Sequence, residues 1–275
     1  MRNNQRRLGK AAPPSPGPLQ PVLAFAVPTE FVELPSRGQF YPEEHPLCNQ
    51  ETVEIKFMTA KDEDVLSSRA LIKKGLAIDR FLQGILVEDI DPQTLLVGDR
   101  NAILIAARIS GYGNEYNVSA PCRACGKENE IVYDLHDAQA AEGCFDKKLL
   151  KKEKVVFNER TMTLDTTLPQ SGVVVGLSLI TGEEEKEFVS TRKEDTEAPI
   201  TSILSVFVTK VNENMDEEYV AEFINAMPAK DSRHLRSLYP KLVPSVRLVN
   251  NMLCSYCLHE EDMEVPLTAE FFWPE

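Results

Sequence analysis

The sequence predicts an α+β fold of two tandem pseudo-repeats, each a strand, several helices and a CxxC hairpin, joined by a shared zinc-ribbon-like four-cysteine site. Three observations predict it. The pairs Cys122/Cys125 and Cys254/Cys257 are 132 residues apart, and the turns Leu34-Pro35 and Leu168-Pro169 are 134 apart. Between turn and cysteines, an alternating apolar pattern gives way to a helical one in the same order in both halves.

Residues 1–29 read as a basic, proline-rich extended arm. They carry Arg2, Arg6, Arg7 and Lys10 with no acid before residue 22, and Pro13, Pro14, Pro16, Pro18 and Pro21 exclude helix. Such a segment is either a disordered tail or a strap that orders on an acidic neighbour. Its apolar stretch Val22–Val27 is too short and too proline-flanked for a secretory signal, and no run approaches the ~18 apolar residues of a membrane span. The expectation is a soluble, cytosolic product.

The first pseudo-repeat, residues 30–140, opens with the Leu34–Gly38 turn and a strand through Val53, Ile55 and Phe57. Thr59 suits a helix N-cap with Asp62 three residues on. Ile78, Phe81, Leu82, Ile85 and Leu86 form a helical core stripe. Asp91-Pro92 reads as a further helix start, Asp99 as an N-cap, and Gly111-Tyr112-Gly113 as the turn before the strand that reaches the first knuckle. The strand after that knuckle ends at Leu135.

Residues 141–160 read as a charged linker, with Lys147–Lys154 a solvated connector. The second pseudo-repeat, residues 161–275, repeats the scheme. Leu168–Gly172 is the turn, Val173, Val175, Leu177 and Leu179 the strand, and Thr181 with Glu184 the capping box. Ile203–Val211 is read as helix, although its β-branched residues also fit a strand. Tyr219, Val220, Phe223, Ile224 and Met227 form the matching core stripe, Asp231 a second N-cap, and the last strand ends at Leu267.

The net charge of −13 favours basic protein partners over nucleic acid or anionic membrane. Zinc ribbons often read nucleic acid, but that needs clustered Lys and Arg beside the knuckles. Here Glu260, Glu261, Asp262 and Glu264 follow the second one. No direct nucleic-acid binding is expected.

Two CxxC pairs are metal-site spacing, because a two-residue spacer lets both thiolates face one ion. Cys122, Cys125, Cys254 and Cys257 complete a tetrahedral all-thiolate shell for one structural zinc, with no open position for chemistry. Four thiolates would also accept iron. Two disulfides would suit a redox protein, but no thioredoxin-like βαβ context surrounds the pairs. Cys48 and Cys144 lack the spacing and read as buried or half-buried thiols. No phosphate loop, HExxH or GxSxG motif occurs, and His45, His136, His234 and His259 are scattered. His259 follows Cys257 closely, but four thiolates already fill the shell. Neither an enzyme nor a catalytic cofactor is expected.

The opening LPSRGQFY, the strings MTAKDEDVL and MPAKDSRHLR, and the closing CSYCLHEEDMEVPLTAEFFWPE resemble the baseplate hub assembly protein family of T-even-type contractile-tailed phages. The resemblance spans residues 30–275. It implies a non-enzymatic structural or assembly role in the virion's tail baseplate, near the hub, in a protein made in the host bacterial cytoplasm. The implied partners are other baseplate, hub and tail-tube proteins, with contacts through the N-terminal arm. An assembly chaperone absent from the virion and a zinc-ribbon nucleic-acid regulator are the alternatives. Arg123 stands where the family commonly has proline, which leaves the ligands undisturbed. Phe271, Phe272 and Trp273 read chiefly as closure of the protein's own core.

Overall fold

The computed structural model describes residues 27–190, 199–247, 249–264 and 269–272. Most of the arm, Pro266, Leu267, Trp273 and Pro274 lie outside them. The first half begins with β1 (Thr29–Glu33) paired antiparallel to β2 (Thr52–Lys56), whose Val53 and Ile55 face the core. Three short helices follow, α1 (Ala60–Ser67), α2 (Arg69–Lys73) and α3 (Ala77–Ile85), then the long α4 (Val97–Tyr112). Phe81, Leu82, Ile85 and Leu86 are buried as the apolar stripe predicts. Strands β3 (Glu115–Pro121) and β4 (Glu128–Asp134) form the hairpin that carries the first CxxC.

The expected linker is folded. After β5 (Gln139–Ala141), Lys147–Glu153 forms α5, with the Asp146 carboxylate accepting the Lys148 N–H at 2.8 Å and Lys154 ending it in a left-handed conformation. Leu149 and Leu150 pack on the core, which is why this charged segment is not merely solvated. Next, β6 (Val155–Asn158), β7 (Thr163–Thr167), β8 (Val174–Leu177) and β9 (Val208–Val211) make a four-stranded antiparallel sheet, where the first half has two strands. Helices α6 (Gly182–Ser190) and α7 (Ile200–Phe207) separate β8 from β9. Then come α8 (Glu217–Ala226), α9 (Ala229–Leu242), β10 (Ser245–Arg247) and the second CxxC hairpin, β11 (Val249–Leu253) with β12 (Glu260–Glu264).

Three readings are corrected. Ile203–Val211 is helix only to Phe207; Val208, Lys210 and Val211 then pair with β8, in a strand whose β-branched Val208, Thr209 and Val211 favour extended backbone. Asp91-Pro92 starts a turn rather than a helix, with Asp91 Oδ1 accepting the Gln93 N–H at 3.0 Å. Asp99 and Asp231 are not N-caps: each is the third residue of its helix, and its carboxylate reaches back to the Leu-Pro turn of its own half. Asp99 accepts the Ser36 N–H at 2.9 Å and the Tyr41 hydroxyl at 2.8 Å, while Asp231 accepts the N–H groups of Gln170 and Ser171 at 2.7 and 2.9 Å. Gly38 and Gly172 close those turns at φ of +68° and +70°. The capping pairs hold: Asp62 accepts the Thr59 N–H at 2.9 Å and Glu184 the Thr181 N–H at 2.8 Å.

The halves interlock away from the cysteines. β5 pairs antiparallel with β10, and Lys186 on α6 reaches Asp79, which also holds Arg100. A Cβ on Gly98 would meet the Pro244 carbonyl oxygen at 2.1 Å, so only glycine lets α4 start against the second half. The segment Ala269–Phe272 inserts Phe271 and Phe272 into the first half, against Tyr116 and Phe81, with ring centroids 5.0 and 4.9 Å apart. The buried Arg108 guanidinium donates to the Phe271 carbonyl at 3.1 Å. This agrees with the core reading of the aromatic cluster for its two described residues.

Candidate metal centre

Each knuckle is built by its hairpin turn. In the first, the Cys122 N–H donates to the Lys127 carbonyl at 2.9 Å and the Gly126 N–H to the Cys122 carbonyl at 2.8 Å. In the second, Cys254 N–H donates to the His259 carbonyl at 2.9 Å and Leu258 N–H to the Cys254 carbonyl at 3.0 Å. Both turns need a left-handed residue after the second cysteine. Gly126 supplies it at φ +71°, whereas Leu258 holds the same place at φ +59° with its side chain 74% exposed.

The two turns bring all four predicted ligands together. The Cys122, Cys125, Cys254 and Cys257 sulfurs lie within 4.8 Å of one another, and two of the cross-knuckle separations, Cys122–Cys257 and Cys125–Cys254, are 3.7 Å. A tetrahedron with Zn–S bonds of about 2.3 Å has edges of about 3.8 Å, so the spacing fits a tetrathiolate ion. It does not fit sulfur–sulfur bonding, which needs about 2.05 Å. Cys122 and Cys254 are buried; Cys125 and Cys257 face outward.

Side chains strap each knuckle to the other hairpin. Asn129, on β4, accepts the Ser255 N–H and hydroxyl, both at 3.0 Å, and its amide lies 3.6 Å from the Cys254 sulfur. Glu261, on β12, accepts the Arg123 N–H at 3.1 Å and pairs with the Arg123 side chain at 3.2 Å. Arg123 and Ser255 each follow the first cysteine of their knuckle, and Asn129 and Glu261 each lie seven residues beyond it. The same bond is therefore made in both directions.

This setting separates the thiols electrostatically. Desolvation opposes ionising Cys254, but N–H groups of Cys257 and Tyr256, with Cys257 and Asn129, outweigh it and hold the thiol down at about 6. At Cys257 the His259 backbone contact lowers the value, yet desolvation and the other three sulfurs push it up to about 12. Negative charge on sulfurs this close together is mutually repulsive, and a bound cation would balance it. Cys144 is unlike these: burial raises its thiol to about 12, as for an inert core cysteine. Cys48 is half-buried and free.

A family model described as T4 bacteriophage base plate protein matches residues 28–273. The chain belongs to that family. No curated protein and no solved structure matches it. In this baseplate-family protein the matched region covers both knuckles and everything between them, so the four clustered cysteines all lie within it.

Asn129 and Glu261 were not among the candidate site residues. Their common offset from the first cysteine was the signal that could have found them. His259 contributes only its backbone carbonyl to the knuckle. An apolar cavity of about 410 Å³ lies between the start of α4 and helices α6, α7 and α9. Among its lining residues, Ser36 donates its backbone N–H and its hydroxyl to the Asp99 carboxylate, which ties the Leu-Pro turn to α4. Among the described residues no helix is long and apolar enough to cross a membrane.

Proposed function

We propose that this protein is a structural or assembly component of a contractile phage tail baseplate, near the hub, and that it acts through protein contacts rather than catalysis. Family membership supports the baseplate role. The observation that carries the physical reading is the four-sulfur cluster, drawn equally from two hairpins 132 residues apart. Cys122, Cys125, Cys254 and Cys257 would hold one zinc ion, whose chemistry here is structural cross-linking with no free coordination position.

The chain would then be two pseudo-repeats, 30–140 and 161–275, preceded by the arm 1–29 and joined by 141–160. Reciprocal straps at the knuckles and matching Asp99 and Asp231 contacts support a duplication about an approximate twofold axis. A structural zinc of this type contributes on the order of 10 kcal/mol to folding, enough to fix the two halves as one rigid part. Other baseplate, hub and tail-tube proteins are the proposed partners, met after synthesis in the host cytoplasm. Quantitative mass spectrometry of purified virions tests the role. A fixed copy number supports a structural subunit; its absence from finished particles, but presence in assembly intermediates, would make it a chaperone instead.

A further inference from the structure

Strand β1 has an open edge. The Phe57 N–H donates to the Pro28 carbonyl and the Leu34 N–H to the Glu51 carbonyl, which frames the β1–β2 ladder. Hydrogen-bonded pairs alternate along such a ladder, so Glu30 and Val32 also face β2. Thr29, Phe31 and Glu33 then direct their N–H and C=O groups away from it, and nothing among the described residues meets them. Phe31 is 70% exposed, and no lysine, proline or bulge interrupts the strand; its charges are the acids Glu30 and Glu33, which deter any added strand that does not bring cations. The same strand holds Glu30 Oε1, a buried carboxylate oxygen with no hydrogen-bond partner.

An added strand would meet all three features. Its backbone would pair with the open edge, and its alternate side chains would stand beside Glu30 on one face and Glu33 on the other. The required chemistry is a basic, proline-free extended peptide with cations on both faces. Residues 1–10 of this chain match it: they contain no proline and no acid, and adjacent Arg6 and Arg7 point to opposite faces of any strand they form. Pro13, Pro14, Pro16, Pro18 and Pro21 lie between them and β1. Polyproline spacers resist reversal, and at Pro28 the chain still runs along β2, so reach to the next molecule is favoured over a return to its own edge.

We propose that residues 1–10 of one copy add as a strand to the β1 edge of a second copy, with Arg6 and Arg7 pairing with Glu30 and Glu33. The contact is head-to-tail, so it links copies in series. It needs neither the metal nor the baseplate reading.

The test is sedimentation velocity of the full chain over a concentration series, with the charge reversals Arg7→Glu and Glu33→Arg, singly and combined. The expected result is concentration-dependent association, weakened about tenfold by either reversal and largely restored by the combination. Glu30→Gln, which removes the buried charge with little change in volume, should weaken it too. A chain monomeric at every concentration overturns the proposal, even if the reversals alter its stability, since that would put the arm on its own edge. Association indifferent to all the variants overturns it equally.

Discussion

The Asn129 side-chain oxygen accepts the Ser255 backbone N–H at 3.0 Å, tying the first hairpin to the second knuckle beside the Cys254 sulfur. Asn129 is buried, and its amide group also reaches the Lys127 carbonyl at 2.9 Å. Asn129→Ala strips partners from two sides of the site at once. The expected loss is about 2 kcal/mol of stability and at least about tenfold in metal affinity, read by denaturant titration and by chelator competition. An unchanged chelation profile would remove Asn129 from the site.

Leu258 tests the backbone. A leucine at φ +59° stands where the other knuckle has glycine, and left-handed geometry costs a non-glycine residue roughly 1 kcal/mol. Leu258→Gly should leave metal content intact and raise the melting temperature by a few degrees, because the exposed side chain makes little packing to lose. Gly126→Leu should lower it. If Leu258→Gly destabilises instead, that side chain packs in a way its exposure does not show.

The two turn-binding aspartates, Asp99 and Asp231, should behave differently. Asp231 is opposed by desolvation, but the Ser171 and Gln170 donors outweigh it and hold the carboxyl below its ordinary value. Asp99 is dominated by desolvation, which raises it despite Ser36 and Tyr41. A depressed folded-state value contributes stability above the unfolded pKa near 3.8 that is lost as pH falls through the folded value. A raised value does the reverse: its contribution is complete below 3.8 and declines as pH rises through the folded value. Asp231→Asn would turn an NH₂ group toward two backbone donors and should cost about 3 kcal/mol at neutral pH, with a weaker acid-limb dependence. Asp99→Asn should be milder, because the Ser36 and Tyr41 hydroxyls can rotate to accept. Chemical denaturation between pH 3 and 8 separates the two, and equal losses would contradict the assignment.

The C-terminal plug is a further independent site. Phe272 is fully buried against Phe81 in the other half. Phe272→Ala should cost about 3–5 kcal/mol and speed hydrogen exchange in α3. Exchange confined to residues near the C-terminus would show that the plug does not brace the first half.

Much of this was legible because it is local. The CxxC spacing, the Thr59–Asp62 and Thr181–Glu184 caps and the α3 stripe each depend on residues a few positions apart, where sequence period and backbone geometry coincide. The misread parts depend on partners far along the chain. Val208–Val211 extends as a strand because β8 offers it a ladder, whereas the helical spacing of the preceding residues continues through it. Asp99 and Asp231 look like caps in a local reading, yet their acceptor oxygens are claimed by turns about 60 residues upstream, separations of 63 and 61 for the first bond of each. The β5–β10 pairing across the halves left no periodic trace in three residues on each side.

Metal stoichiometry of the purified full-length protein tests the central claim most directly. Elemental mass spectrometry alongside a thiol count under denaturing conditions should find one zinc per chain, released when Cys254 is replaced by serine. A chain with no stoichiometric metal, or with Cys122, Cys125, Cys254 and Cys257 oxidised as purified, would contradict it.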